Sequence, residues 1–90
     1  MMFKEELETH DTDYKSIKDF LNAAVSNVYE DGRYYYVHVK PFEMYSNSIW
    51  KTDKKTGAVS YMMFTQFLGF KNKTTEIDPL EFKRMVQEKY

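Results

Sequence analysis

The tract from residue 28 to residue 40 constrains this chain more than any other stretch. Asp31-Gly32 divides two runs rich in β-branched and aromatic residues. A two-residue primed turn needs positive φ at both centres, which Asp tolerates and Gly prefers. The tract therefore predicts a β-hairpin with arms at 28–30 and 33–40, the second ended by Pro41, which has no N–H to give a ladder. Side chains alternate along a strand, so Arg33, Tyr35, Val37 and Val39 share one face, and Tyr34, Tyr36, His38 and Lys40 share the other. The two valines select the first set for the core. The second set is expected to face solvent, with helices covering only one side of the sheet.

The flanking segments predict what packs on the hairpin. Tyr14, Ile17, Phe20, Leu21, Ala24, Val25 and Val28 form an i, i+3, i+4, i+7 stripe behind Asp11, Thr12 and Asp13, so an amphipathic helix is expected at about 12–26. Met1 to His10 reads as a short helix or an arm docked on the domain. Residues 46–52 read as a strand, 53–57 as a polar loop with Gly57 where positive φ is wanted, and 58–67 as a long strand. That last run also satisfies helical spacing through Tyr61, Phe64 and Leu68, with Gly69 as a helix stop, so helix stays open there. Residues 71–75 read as a polar loop. Asp78 as N-cap, Pro79 at the first helical position and Glu81 in the first turn announce a helix at about 79–89.

Helix, strands, helix in that order predicts an α+β fold. The expected architecture is an N-terminal helix, a three- to four-stranded antiparallel sheet between 28 and 68, and a C-terminal helix, with the helices packed on one sheet face. Ninety residues without repeat, low-complexity stretch or linker make one domain, 1–90. With no cysteine and no metal-ligand cluster, the core must come from side-chain packing, and eight Tyr, seven Phe, one Trp and six Met supply it. Lys4, Glu5, Glu6 and Glu8 stand where a signal peptide needs apolar residues, and no run is long enough for a membrane span. A cytoplasmic protein with no membrane partner is expected.

Catalytic chemistry finds no footing. Nucleophilic catalysis needs an activated Ser, Cys or Lys beside an oriented base. Cys is absent, and His10 and His38 lie in different segments. Three glycines are too few for a phosphate-cradling loop. His10, Asp11 and Asp13 read as helix capping rather than a metal site. No enzyme, cofactor or metal is expected.

Charge placement says more than the net charge of −1. Residues 1–32 carry a net −5, whereas residues 33–75 carry a net +5 and ten of the sixteen aromatics. The spacing of Tyr34, Tyr36 and Val37 resembles the aromatic strand of an RNA-recognition motif. The glycine of that family falls at Gly32 here, its last aromatic is Val39, and its βαββαβ order is absent. The helix–strands–helix order resembles a double-stranded-RNA-binding domain, whose second helix opens on lysines where this one opens Asp78-Pro79-Leu80-Glu81. Neither resemblance carries a function over. Tyr and Trp are also the residues of protein interfaces, and Tyr34, Tyr36, His38, Lys40, Tyr45 and Trp50 are the expected binding residues. Eleven Lys against two Arg suggests an AT-rich genome. The expectation is a small interaction module, of a phage or mobile-element accessory kind, that binds and modulates a host protein or self-associates. The alternative is a single-stranded nucleic-acid binder using the same face.

Overall fold

The hairpin forms where Asp31 places it, but by another device. In the computed structural model, which describes residues 14–39 and 48–90, β1 (Val25–Glu30) and β2 (Tyr34–Val39) pair antiparallel with Glu30 opposite Tyr35. Gly32 does not take positive φ; among the described residues only Gly57 does. The Asp31 carboxylate closes the turn instead. Its Oδ1 accepts from the N–H groups of Arg33 and Tyr34, each at 2.8 Å, while Asp31 N–H donates to Tyr34 O at 3.1 Å. The expected primed turn is thus corrected to an Asp-anchored one, in which a side chain stands in for a backbone acceptor.

Three more strands complete the sheet: β3 (Ser48–Asp53), β4 (Val59–Met63) and β5 (Thr75–Ile77). The order is β4-β3-β2-β1-β5, every neighbouring pair antiparallel. Five strands replace the expected three or four. β5 was missed because three residues hold no readable alternation; it exists because β1 offers an unpaired edge, taken up with Val28 opposite Ile77. The loop before β4 is as expected. Asp53 N–H donates to Ala58 O at 2.9 Å, Gly57 N–H donates to Asp53 O at 2.8 Å, and Gly57 supplies the left-handed φ of 78°.

The helices differ most from expectation. In place of a helix over 12–26 stands a 3-10 helix, η1 (Ile17–Asn22), and Val25 and Ser26 already belong to β1; residues 12 and 13 lie outside the described residues. Ser16 caps it, its Oγ accepting from Lys18 N–H at 3.3 Å, and Asp19 Oδ2 accepts from Ser16 N–H at 3.0 Å. In a 3-10 helix residues i and i+3 eclipse, so Ile17 and Phe20 both face the core. The helical stripe misled because Val25 and Val28 satisfy it equally well as members of β1, and the ladder with β2 outweighs helix propensity. Residues 58–68 divide between both readings: β4, then a one-turn helix, α1 (Phe64–Leu68). A further 3-10 turn, η2 (Lys71–Lys73), leads to β5. The last helix, α2 (Pro79–Lys89), matches its signals, with Asp78 Oδ2 accepting from Leu80 and Glu81 N–H at 3.1 and 3.3 Å.

Two layers, not one, cover the sheet. On the first face Val28, Tyr35, Val37, Val39 and Trp50 pack with Ile17 and Phe20 of η1 and Phe82 and Val86 of α2. On the second, Tyr29, Tyr36 and Ile49 pack with Phe67 of α1, and Phe64 and Phe70 flank them. Helices on both faces correct the one-sided packing that was expected. Among the described residues no helix is long and apolar enough to cross a membrane.

Candidate functional site

The second face of β2 is not a solvated stripe. Tyr36 retains 3% of its exposure, with its ring centroid 5.2 Å from that of Phe67 and 5.3 Å from that of Phe70. Its hydroxyl donates to Asp31 Oδ2 at 2.9 Å. Burial and the Asp31 carboxylate together push the Tyr36 hydroxyl well above the ordinary tyrosine range. Burial pulls Asp31 the other way, but hydrogen bonds from Arg33 and Tyr34 N–H and Tyr36 OH, with Lys54 nearby, outweigh it and hold Asp31 below its usual value. Tyr36 is therefore a core residue that braces a turn.

Its neighbours are half-buried. Tyr34 carries Lys51 Nζ at 4.3 Å and the Arg33 guanidinium at 5.3 Å from its ring centroid. His38 stacks on Phe64 at 5.9 Å. Ser26 Oγ donates to His38 O at 3.0 Å and lies 3.2 Å from His38 Nδ1, within hydrogen-bond distance. Trp50 lies on the first face at 7% exposure, between Tyr14 and Tyr61. Lys40 and Tyr45 lie outside the described residues. The six residues picked from sequence thus do not form one surface: Tyr36 and Trp50 are buried on opposite faces, and Tyr34 and His38 line the rim of the second.

Beside Leu68 and Leu80, which are exposed singly on the helices, an exposed apolar pair lies two strands from β2. Tyr61 is 56% exposed and Met63 48%, both on β4, the edge strand. Trp50 lies opposite Tyr61 in the ladder, and the two rings meet edge to face at 5.5 Å. The chain before η1 reaches the start of this edge: Ser16 bridges Ala58, and Val59 N–H donates to Lys15 O at 3.2 Å. That bond turns Val59 outward, and alternation then turns the amide and carbonyl of Tyr61 outward too. Neither has a hydrogen-bond partner among the described residues. Across the sheet, β5 is three residues long, carries Glu76 and is followed by Pro79, which blunts it against further pairing. β4 has no charge in its five residues. That absence was readable in Val59-Ser60-Tyr61-Met62-Met63, but its meaning depends on β4 being an edge, which the strand order alone decides.

Cations make a second feature. Among the described residues the carboxylate ion pairs are Lys54 with Glu30 at 2.8 Å and Arg84 with Glu81 at 2.5 Å. Lys54 is drawn to the first face, where its Nζ lies 4.8 Å from the Tyr35 centroid and also donates to Asp31 O at 2.7 Å. Among the described residues Arg33, Lys51 and Lys71 form no carboxylate ion pair, although the charge of Arg33 helps lower Asp53, and Lys71 Nζ lies 5.3 Å from the Tyr29 centroid. Among the described residues no three His, Cys, Asp or Glu side chains converge as metal ligands. No family model, no curated protein and no solved structure matches the chain.

Proposed function

We propose that this protein is a non-enzymatic interaction module that takes a partner's extended segment on the β4 edge, an accessory protein of phage or mobile-element kind that modulates a host protein. The observation that carries the reading is the uncharged β4 edge, with the Tyr61 backbone turned outward and the Tyr61 and Met63 side chains half exposed. Strand addition draws affinity from main-chain hydrogen bonds and specificity from alternate side chains. Tyr61 and Met63 share the first face, so the segment that fits carries apolar residues at alternate positions on that side. The surface moves from the tyrosine-rich middle of the sheet, which is covered, to the edge, which is open.

The test is a photo-crosslinking amino acid at Tyr61 in the native host, with the same group at Leu80 on α2 as control. A protein adduct should form from Tyr61 and not from Leu80. Tyr61→Pro deletes an outward N–H without removing a ladder bond to β3. It should weaken the purified complex at least tenfold, and Tyr61→Ser less. Light scattering on the same samples identifies the adduct partner as a second copy or another protein. Adducts equal at both positions, or Tyr61→Pro binding as tightly as the parent, would sink the reading.

A further inference from the structure

We infer that the rim of the second face holds a site for the phosphate backbone of a single-stranded nucleic acid, independent of the β4 edge. Three cations that form no carboxylate ion pair among the described residues, Arg33, Lys51 and Lys71, are arranged around it. Arg33 and Lys51 share the Tyr34 ring, while Lys71 sits on Tyr29. Tyr29, Tyr36 and Lys51 stand in register across β1, β2 and β3, so Tyr29 and Lys51 are two strand spacings, about 10 Å, apart. The cations therefore form an arc and not a point.

The carboxylates nearest the arc are spent on the protein itself. Asp31 accepts from Arg33 N–H, Tyr34 N–H and Tyr36 OH. Asp53, opposite Tyr34, accepts from Lys55 and Thr56 N–H at 2.7 and 3.1 Å. Glu76, opposite Tyr29, accepts from Asn27 Nδ2 at 3.1 Å. They temper the local field, Asp53 through the nearby charge of Arg33, but among the described residues none forms an ion pair with the three cations, and an anion supplies that partner.

The aromatic rim chooses between anions. Tyr34, Phe64 and Phe70 are each half-buried on this face; Tyr34 carries two of the cations, and Phe70 and Phe64 extend the aromatic surface from Tyr36 to His38. Counter-charge interleaved with ring surface suits a strand that alternates phosphates with flat bases, whereas an acidic peptide has no use for the rings. Cations already resting on tyrosines are also held in place, so less side-chain freedom is lost when the phosphate arrives. Three contacts make a weak site, with Kd on the order of 10–100 µM at low salt.

The experiment is fluorescence anisotropy of the full chain with labelled 15-mers of dT and U. Three phosphate contacts on a single strand give a slope of log affinity against log salt of about −2, so binding should weaken roughly 20-fold between 50 and 200 mM salt. Arg33→Gln, Lys51→Gln and Lys71→Gln should each lower the slope by about 0.7, while Lys18→Gln, on η1 over the first face, should leave it unchanged. Tyr61→Pro should also leave it unchanged, which separates failure here from failure of the edge reading. Near-ultraviolet circular dichroism checks that each variant keeps its packing. No binding at 50 mM salt, displacement by polyglutamate as readily as by unlabelled oligonucleotide, or slopes unmoved by the three substitutions would each overturn the site.

Discussion

The two faces of the sheet are sealed by unequal means. The first lies under α2, eleven residues long with Phe82 and Val86 fully buried, joined by Ile17 and Phe20 of η1. The second lies under α1, five residues long, whose one buried side chain is Phe67. A single helical turn has almost no stability of its own. The second layer is therefore held by rings: Phe67 lies 5.0 Å from Tyr29, 5.2 Å from Tyr36 and 5.5 Å from Phe70. Helix packing closes one face, and an aromatic cluster with cations on its border closes the other. The lesson is that a tyrosine row on a strand can be core on a face with no long helix to announce it.

Substitutions can break this contrast. The largest effect belongs to Phe82→Ala, which should cost about 4–5 kcal/mol in urea denaturation, because Phe82 touches both Phe20 and Tyr35 and α2 cannot collapse into the gap. A chain of this size has roughly 5–13 kcal/mol in all, so that variant should be near unfolding. Phe67→Ala should cost about 3 kcal/mol, since a one-turn helix can settle toward the sheet. If Phe67→Ala proves as damaging as Phe82→Ala, the faces are energetically equal and the contrast fails.

Gly57→Ala sharpens the comparison at the seam between η1 and the sheet. Ile17 N–H donates to Gly57 O at 2.8 Å, and a Cβ on Gly57 would lie 3.2 Å from Ile17 Cγ2 at φ 78°. Strain and crowding together should cost about 1–2 kcal/mol. The loss should appear as faster hydrogen exchange in η1 before any in β2. Tyr36→Phe is smaller still, about 1 kcal/mol, the loss of one hydrogen bond to a carboxylate that keeps two backbone donors.

The smallest effects are in pH. Asp31 is lowered in the folded chain, so its contribution is complete above the unfolded carboxyl value of about 3.9 and is lost as pH falls through the folded value. Asp31→Asn should flatten the acid limb of the stability curve. Burial, with Tyr90 and Glu30 nearby, pushes Tyr35 up to about 12, and Tyr36 is raised as well. Their contribution is complete below about pH 10 and is lost as pH rises toward the folded values. Alkaline unfolding followed by tyrosinate absorbance should therefore be shallower in Tyr36→Phe.

What could be read from the sequence was whatever neighbouring residues decide among themselves. Asp78-Pro79 starts α2 because a carboxylate and a fixed φ act within one turn. Asp31 marks a hairpin because its side chain reaches the amides two and three residues on, although it was the carboxylate and not Gly32 that made the turn. Alternation placed Tyr35 and Val37 on one face and Tyr36 on the other, and this holds. The error was in what covers the second face. Phe64 and Phe67 were present in the string, but the run 58–67 that holds them read mainly as strand, and nothing local turns the chain at Met63. Of the proposed binding residues, Tyr36 and Trp50 lie buried on opposite faces for the same reason, since residues distant in sequence cover them.

By itself the sequence determined a small α+β chain with a hairpin at Asp31, a capped last helix, an aromatic core and a charge split between its first third and its middle. Turns, caps and face alternation need only nearest neighbours, so one string suffices for them. Only the tertiary structure decided the strand order, the capture of β5 by β1, the shortening of the first helix to η1, the second layer over Tyr36, and hence which apolar residues stay outside. Each of those is a competition between distant segments for the same edge or face, and its winner depends on the geometry of the rest of the fold. That is why the candidate surface moved from Tyr36 to Tyr61, a residue whose exposure depends on β4 lying at the end of the sheet.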